Sequence, residues 1–516
     1  MKLAKLVDQI SVADQIFVND LNTIADQGFK SILCHRPDGE GSDQPNFEEI
    51  ANAAKKHKIQ IQYLPVVSGK ISDEDVDKFT KAFSEAPKPV LAYCRSGMRA
   101  ASLWALAEAS KLGLASVLEA GKKAGYDLSG LTMRLAGNKS QASPKVSHEV
   151  VIVGGGAAGV AVASSLLSRN SSLDVVIVDP ADTHYYQPGW TMVGGGVFNP
   201  STTVKTMASV IPSKAKWVKA AVAGFDPENN QIILEGCRVI HYDVLIVCPG
   251  VKLNWNAIEG LTETLGQNGV TSNYRYDLAQ YTWELVKNLK GGHAVFTQPP
   301  MPIKCAGAPQ KAMYLSGSHW LKTGVLNDIQ IDFYNTGAVL FGVKEYVPAL
   351  MTYVKRYNAN LHFNHRLSKI DGPNKKAWFV ATDADGNIST VETTFDMIHV
   401  VPPQQSPDFI RASKLVDENG WVDVNQDTLQ HKSFTNIFSL GDVTNSPNAK
   451  TAAAARKQAP VVATNVLFYL RKGVQRGIYD GYGSCPVVAS LNTVMLAEFS
   501  YDSAITPSFP FLDPRK

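Results

Sequence analysis

The chain has 516 residues, of which 45% are hydrophobic and 19% charged, an ordinary globular composition with room for about two to four domains. A net charge of +3 is small for this length and gives no basis for a nucleic-acid partner. The six cysteines (Cys34, Cys94, Cys237, Cys248, Cys305, Cys485) form no zinc spacing and no dense disulfide framework, which predicts a reducing setting, a few chemically active thiols and no metal.

The first stretch, "MKLAKLVDQISVADQIFVND", lacks the apolar core and cleavage site of a signal peptide, and its acidic residues argue against a mitochondrial presequence. The expected location is cytoplasmic, with a peripheral place on the cytoplasmic face of the membrane as the second expectation. Strands are predicted at "KSILCHR", "IQIQYLPV" and "PVLAYC", and helices at "PNFEEIANAAKKHK" and "DEDVDKFTKAF". Their alternation predicts a small α/β domain on a mainly parallel sheet. Ser72 with Asp75 reads as a capping box rather than a source of a general acid. Cys34 and His35 fall at a strand end and read as structural. "PVLAYCRSGMRAASLWALA" then holds Cys94 in a tight loop between a strand and a helix. The helix N-terminus, Arg95 and Arg99 would lower the pKa of that thiol.

Up to about Gly137, the chain resembles a small family of domains related to dual-specificity phosphatases, with "GFKSILCHRPDGE" as the other matching stretch. Phosphatase loops place five residues between cysteine and arginine. Cys94-Arg95-Ser96-Gly97-Met98-Arg99 places four, a smaller cradle that resembles the rhodanese-type sulfurtransferases. Tyr93 stands where phosphatases usually have histidine, and Ala100 where they have a hydroxyl residue. The resemblance implies a sulfurtransferase that carries a persulfide on Cys94, with Arg99 beside it. A tyrosine-phosphatase-like hydrolase and a degenerate binding module are the alternatives. The domain is expected over residues 1–137.

"RLAGNKSQASPKVSHE" is polar and reads as a linker, placed at residues 138–147. Directly after it, "EVVIVGGGAAGVAVASSLL" sets Gly154, Gly156 and Gly159 between a strand and a small-residue helix. About twenty residues on, "DVVIVDP" ends a second strand on Asp179. The glycines permit the tight turn, the approach of pyrophosphate to the helix N-terminus and close packing. The acid is placed for the ribose.

"YDVLIVCPGV" and "FTNIFSLGDVTN" resemble the crossover strand and second flavin motif of flavoproteins with two dinucleotide-type domains, although Cys248-Pro249-Gly250 replaces the usual Ala-Thr-Gly. That resemblance implies FAD, with Gly441 and Asp442 at the ribityl chain, and Cys248 as a packed thiol. Where such proteins carry a second glycine fingerprint for NAD(P)H, this chain has Pro299, Pro300 and Pro302, which lack the N–H that would bind pyrophosphate.

"PIKCAGAPQK" and "YDGYGSCPVV" resemble the two active-cysteine segments of sulfide:quinone oxidoreductases, of the type also found in mitochondria. "HYYQPGWTMVGGG" and "SPNAKTAAAA" match that family as well. The resemblance covers residues 148–516 and implies an α/β flavoprotein of two Rossmann-type subdomains that oxidises sulfide. Cys305 would be the flavin-side thiolate, Cys485 would hold the persulfide, and Lys304 and Lys311 would stabilise charge. It further implies FAD contacts from Gln187, Val222 and Lys450, a quinone as electron acceptor, and a small thiol or other sulfane-sulfur acceptor. An NAD(P)H-dependent persulfide or disulfide reductase is the alternative. "APVVATNVLFYL" is too short to span a bilayer and reads as a buried helix. Phe509 and Phe511 near the end are candidates for a quinone pocket or a surface-anchoring turn.

Overall fold

The computed structural model describes residues 1–41, 44–67, 71–128, 131, 134–135, 146–235, 238–447 and 450–509. Residues 138–145 of the expected linker, Cys237 and Phe511 lie outside them. The chain forms two units, Met1–Ser147 with Ala221–His241, and His148–Ala220 with Tyr242–Lys516.

The first unit is built on a five-stranded sheet. A short hairpin, Leu3–Val7 and Ile10–Ala13, forms one edge. Val90–Tyr93, Ser31–Cys34 and Gln60–Tyr63 follow in that spatial order, all parallel to Ile10–Ala13. Residues of the inner strands alternate between two cores, as the two-residue period of a strand requires. Leu33, Val90 and Ala92 face Phe79, Phe83, Leu103 and Trp104. Ile32, Cys34, Leu91 and Tyr93 face Leu21, Ile24 and Ile50. The helix Asp73–Glu85 begins in the predicted capping box, Ser72 and Asp75 each bonding the other's backbone N–H.

In the second unit the strand Val146–Val153 leads through the glycine loop into the helix Ala157–Arg169 and on to Val175–Val178, which pairs parallel with the first strand. Lys216–Val218 adds to Val175–Val178, and Ile437–Ser439 pairs parallel with Val239–Val247. The helix Ala452–Tyr469, which holds the expected buried segment, packs on Ala157–Arg169. "KWVKAAVAGF", which holds Val222, contributes to two strands. A turn closed by Ala220 N–H on Val218 O separates Lys216–Val218 from Val222–Asp226, which pairs antiparallel with Gln231–Leu234 and groups with the first unit.

A second parallel sheet runs Val270–Thr271, Met397–His399, Gly292–Gln298, Ile329–Asn335 and Ala359–Phe363. Its crossover helix, Ala308–Thr323, is buried along most of its first three turns, because the sheet covers one side and a hairpin, Gly483–Ser490 with Thr493–Phe499, covers another. That hairpin carries Cys485, and the helix begins just after Cys305. No described helix is long and apolar enough to cross a membrane.

Candidate functional site

The glycine loop fits a dinucleotide. Gly154 has φ +109°, and a Cβ on it would sit 2.6 Å from the Cys248 carbonyl oxygen. A Cβ on Gly159 would lie 1.8 Å from the Gly154 carbonyl oxygen, so only glycine lets the helix start this close to the strand. A Cβ on Gly156 would meet nothing within 4 Å, which leaves the helix N-terminus open to a phosphate. Asp179 follows its strand, accepts Gly155 N–H at 2.6 Å and so braces the loop it serves. The Cys248 thiol is fully buried against Gly154 O, and burial pushes its pKa up, as expected of a packed thiol.

Gly441, at φ +77°, turns the chain after Ile437–Ser439 and presents Asp442. The Asp442 carboxylate takes no hydrogen bond among the described residues, and burial raises its pKa against the pull of Lys450 and Lys304. It is an acceptor suited to a hydroxyl donor such as the ribityl chain. Lys450 Nζ donates to Asp442 O and Thr444 O, each at 2.7 Å, and lies 4.0 Å from the Trp421 ring centre; burial lowers its pKa to about 8. These residues and the glycine loop fit FAD.

The second feature is a pair of thiols. Cys305 Sγ and Cys485 Sγ lie 3.5 Å apart, from segments far apart in sequence. Three constraints bring them together. Cys305 N–H donates to Lys450 O at 2.7 Å, which ties it to the second flavin motif. Cys305 holds φ +54°, unusual for a residue with a Cβ and consistent with an enforced functional geometry. Gly307 closes the approach, since a Cβ there would lie 2.5 Å from Cys485 Sγ.

Lys311 Nζ donates to Cys305 Sγ at 3.4 Å from one turn into the helix. The Cys485 S–H and the Lys311 ammonium together hold the Cys305 pKa well below the thiol range, against its burial. Its hydrogen bond with Cys305, and its own burial, push Cys485 the other way. The reduced pair is thus polarised, with charge favoured on Cys305 and the proton on Cys485. Lys304, also predicted to serve Cys305, points elsewhere. Its Nζ reaches Gln187 Oε1 and its backbone N–H donates to Gln404 Oε1 at 2.8 Å. Gln187 itself is exposed, and Val222 is buried in a strand of the other unit. Gly307, Gln404 and Tyr274, whose hydroxyl donates to Lys304 O at 3.0 Å, belong to this centre without a sequence signal of their own.

At the carboxyl ends of Gly292–Gln298 and Ile329–Asn335 lies a cavity of about 760 Å³, lined among others by Gln298, Pro299, Pro300, Asn335, Phe341 and Trp421. Dinucleotide folds place an acid at the second strand end for the ribose. Here Asn335 stands there, and its amide is bonded within its own loop, to Val339 O and Gly337 N–H.

In the first unit, Cys94 is buried at the end of Val90–Tyr93, and Gly97, at φ +84°, starts the helix Met98–Leu112. The ends of four parallel strands meet around this loop, the usual place for a ligand on such a sheet. His35 N–H donates to Tyr93 O at 2.9 Å, which aligns the two strand ends. Arg99, predicted to act beside Cys94, is buried. Its NH1 donates to Val66 O at 2.6 Å and His35 O at 3.4 Å, and its NH2 to Glu40 at 2.6 Å. Arg36 donates to the same Glu40 oxygen at 3.0 Å and to Gln15 at 2.8 Å. The Tyr126 hydroxyl stands over Gly97, where a Cβ would lie 2.1 Å from it. Burial raises the Cys34 pKa to about 11 and lowers that of His35 to about 4, which favours the uncharged form of both at neutral pH. Glu40 and Tyr126 escape sequence reasoning, because Arg99 and Gly97, the loop residues they meet, are distant in the chain.

Comparison with known proteins matches two family models to separate parts of the chain. Residues 2–111 match the family model "Beta-lactamase hydrolase-like protein, phosphatase-like domain", and residues 148–286 match "Pyridine nucleotide-disulphide oxidoreductase". A mitochondrial sulfide:quinone oxidoreductase of Dictyostelium discoideum is 41% identical over 73% of this chain and 83% of its own length. The beta-lactamase hydrolase-like protein of Agrobacterium fabrum is 32% identical over 28% of this chain and 34% of its own. The structure of the Aquifex aeolicus sulfide:quinone oxidoreductase aligns with a TM-score of 0.58 at 20% identity, over 70% of this chain and 85% of that one, and shows the shared fold.

Proposed function

The chain belongs to the sulfide:quinone oxidoreductase family, and from that premise we propose that it oxidises sulfide at Cys305 and Cys485, passes the electrons to a quinone, and relays sulfur through Cys94. The observation that carries the first part is the 3.5 Å approach of the two sulfurs with Lys311 on one of them only. When the pair is oxidised, hydrosulfide attacks Cys485. A bond forms between the incoming sulfur and Cys485 Sγ, and the bond to Cys305 breaks. Cys485 is left as a persulfide and Cys305 as a thiolate. The thiolate leaves from the side on which Lys311 stabilises it, and a lower pKa makes a better leaving group. A small thiolate then takes the outer sulfur of the Cys485 persulfide and frees that cysteine to pair again.

Gly154, Gly156, Gly159, Asp179, Gly441, Asp442 and Lys450 would hold FAD, with Gln187 as a further contact. FAD, when bound, accepts the electron pair from the thiols and yields it to the quinone. A quinone substrate implies peripheral contact with a membrane, and we place the protein on its cytoplasmic side. The prolines after Gly292–Gln298 and the self-bonded Asn335 support a quinone rather than a pyridine nucleotide as the redox partner.

For the first unit, the short loop at Cys94 and the pairing of Arg99 with Glu40 support sulfur transfer over phosphate ester hydrolysis. The domains are taken as residues 1–137 and 148–516, joined by 138–147. Anaerobic addition of sulfide, then of NADH, to the yellow protein tests the reading. Sulfide bleaches the flavin band in the wild type and fails to do so in Cys305→Ser. Bleaching by NADH but not by sulfide refutes it.

A further inference from the structure

The loop at Cys94 carries its own selectivity device. Four strand ends bring Gln15, Arg36, Glu40, Val66 and Arg99 together beside it. Arg36 and Arg99 are almost fully buried and donate to one oxygen of one carboxylate, Glu40 Oε2, at 3.0 and 2.6 Å. Both NH1 contacts of Arg99 are carbonyl oxygens, and its NH2 faces Glu40. The planar fork that would clamp an oxyanion through two parallel bonds is therefore already engaged. Arg95 of the loop is exposed to solvent, and among the buried groups two guanidiniums and one carboxylate leave a single positive charge. Independently, Tyr126 is 6% exposed, and its buried hydroxyl has no hydrogen-bond partner among the described residues and lies against Gly97 within the loop. It is a neutral donor close enough to Cys94 to interact with its charge.

We propose that Glu40 determines the donor class of the Cys94 site, matching it to a hydropersulfide, whose reaction with the Cys94 thiolate carries one negative charge in all, and against dianionic oxyanions such as thiosulfate or a phosphate monoester. The proposal rests on the reading of Cys94 as a sulfur acceptor. A dianion must either displace Glu40 from Arg99 or share the site with its charge. A hydropersulfide needs only the single balancing charge, the N–H groups of the loop and the Tyr126 hydroxyl. The Cys94 thiolate attacks the outer sulfur of R–S–SH. A sulfur–sulfur bond forms to Cys94, the bond to the inner sulfur breaks, and R–S⁻ departs. Cys94–S⁻ and R–S–SH become Cys94–S–SH and R–S⁻, with no net oxidation.

The test uses the reduced full-length protein with cysteine hydropersulfide, thiosulfate or p-nitrophenyl phosphate. Sulfur on the Cys94 peptide is read by mass after proteolysis, with Cys94→Ser as the blank. In the wild type and in Glu40→Asp, hydropersulfide should label Cys94 at least about tenfold faster than thiosulfate, the discrimination one charge-assisted contact supplies. Glu40→Gln should raise thiosulfate labelling about tenfold and remove the preference. Tyr126→Phe should slow labelling by hydropersulfide without giving thiosulfate access. Thiosulfate labelling of the wild type as fast as hydropersulfide overturns the proposal, as does an unchanged donor ratio in Glu40→Gln. If Glu40→Gln does not fold, the wild-type ratio decides. Failure of the underlying reading looks different: no donor puts sulfur on Cys94, and p-nitrophenyl phosphate is turned over instead.

Discussion

Lys311→Met removes the ammonium that faces Cys305 and keeps a side chain of similar length. At 3.4 Å, and at an effective dielectric of about 20, an ammonium and a thiolate attract by about 5 kcal/mol. That corresponds to about 3.5 pKa units. Water admitted by the shorter polar reach and the loss of one buried charge reduce this, so the expected rise in the Cys305 pKa is about 2 units or more. The sign follows from the geometry: the thiolate loses its cation, so its pKa must rise. Cys485 still donates, so the thiol does not return fully to its ordinary range. The assay is alkylation of the anaerobically reduced protein by iodoacetamide across pH, with the Cys305 and Cys485 peptides quantified separately. The midpoint for Cys305 should move up in Lys311→Met, and the Cys485 profile should shift less. The sulfide-driven bleaching step should also slow, because Cys305 becomes a poorer leaving group. A Cys305 midpoint within about half a unit of the wild type would refute the assignment of Lys311 as the stabilising charge.

Gly307→Ala should leave the protein yellow but slow sulfide bleaching about 100-fold in stopped flow, because the new Cβ would lie 2.5 Å from Cys485 Sγ and drives the sulfurs apart. Gly159→Ala should yield a folded, colourless protein by visible absorbance, since the added carbon meets the Gly154 carbonyl oxygen at 1.8 Å, although alanine is the better helix former by about 1 kcal/mol. Asp332, buried in the second parallel sheet, accepts from His293, Gln330, Asn360 and His362. Although burial works the other way, these donors hold its pKa far below the ordinary range. Asp332→Asn should therefore cost about 2–3 kcal/mol in urea unfolding at neutral pH. Because the folded pKa is depressed, that stabilisation is present above the unfolded value of about 4 and is lost as pH falls below it, so the gap between wild type and variant should narrow there.

What the sequence makes legible depends on how local each constraint is. The glycine loop is local: Gly154, Gly156, Gly159 and Asp179 all act within one strand–helix–strand unit, and their spacing alone carries the assignment. The capping box at Ser72 is local for the same reason. Cys305 and Cys485 are not, since only the crossover helix and the C-terminal hairpin bring them into contact, and resemblance alone pairs them beforehand. The choice between Lys304 and Lys311 is beyond any spacing argument. Both lie near Cys305, but Lys311 is one helical turn inside Ala308–Thr323 and faces back to the sulfur. Lys304 precedes the helix and reaches Gln187. Likewise, the break between Lys216–Val218 and Val222–Asp226 comes from a single backbone turn, Ala220 N–H on Val218 O, which no periodicity marks.

Cys305 and Cys94 sit in opposite electrostatic settings. Cys305 is given a cation of its own: Lys311 has no carboxylate partner among the described residues, and both its charge and that of the thiolate persist because each stabilises the other in a buried place. Such a thiol suits a step in which it must repeatedly leave as an anion. Cys94 sits beside two arginines, but Glu40 already balances one of them and backbone carbonyls take the rest of Arg99's fork. That arrangement gives little extra stabilisation to a doubly charged ligand, while a singly charged sulfur species meets the remaining positive charge and a neutral hydroxyl. A phosphatase needs the reverse, an arginine free to follow a dianion through its transition state. The carboxylate on Arg99, rather than the length of the loop alone, is therefore the stronger argument that Cys94 handles sulfur.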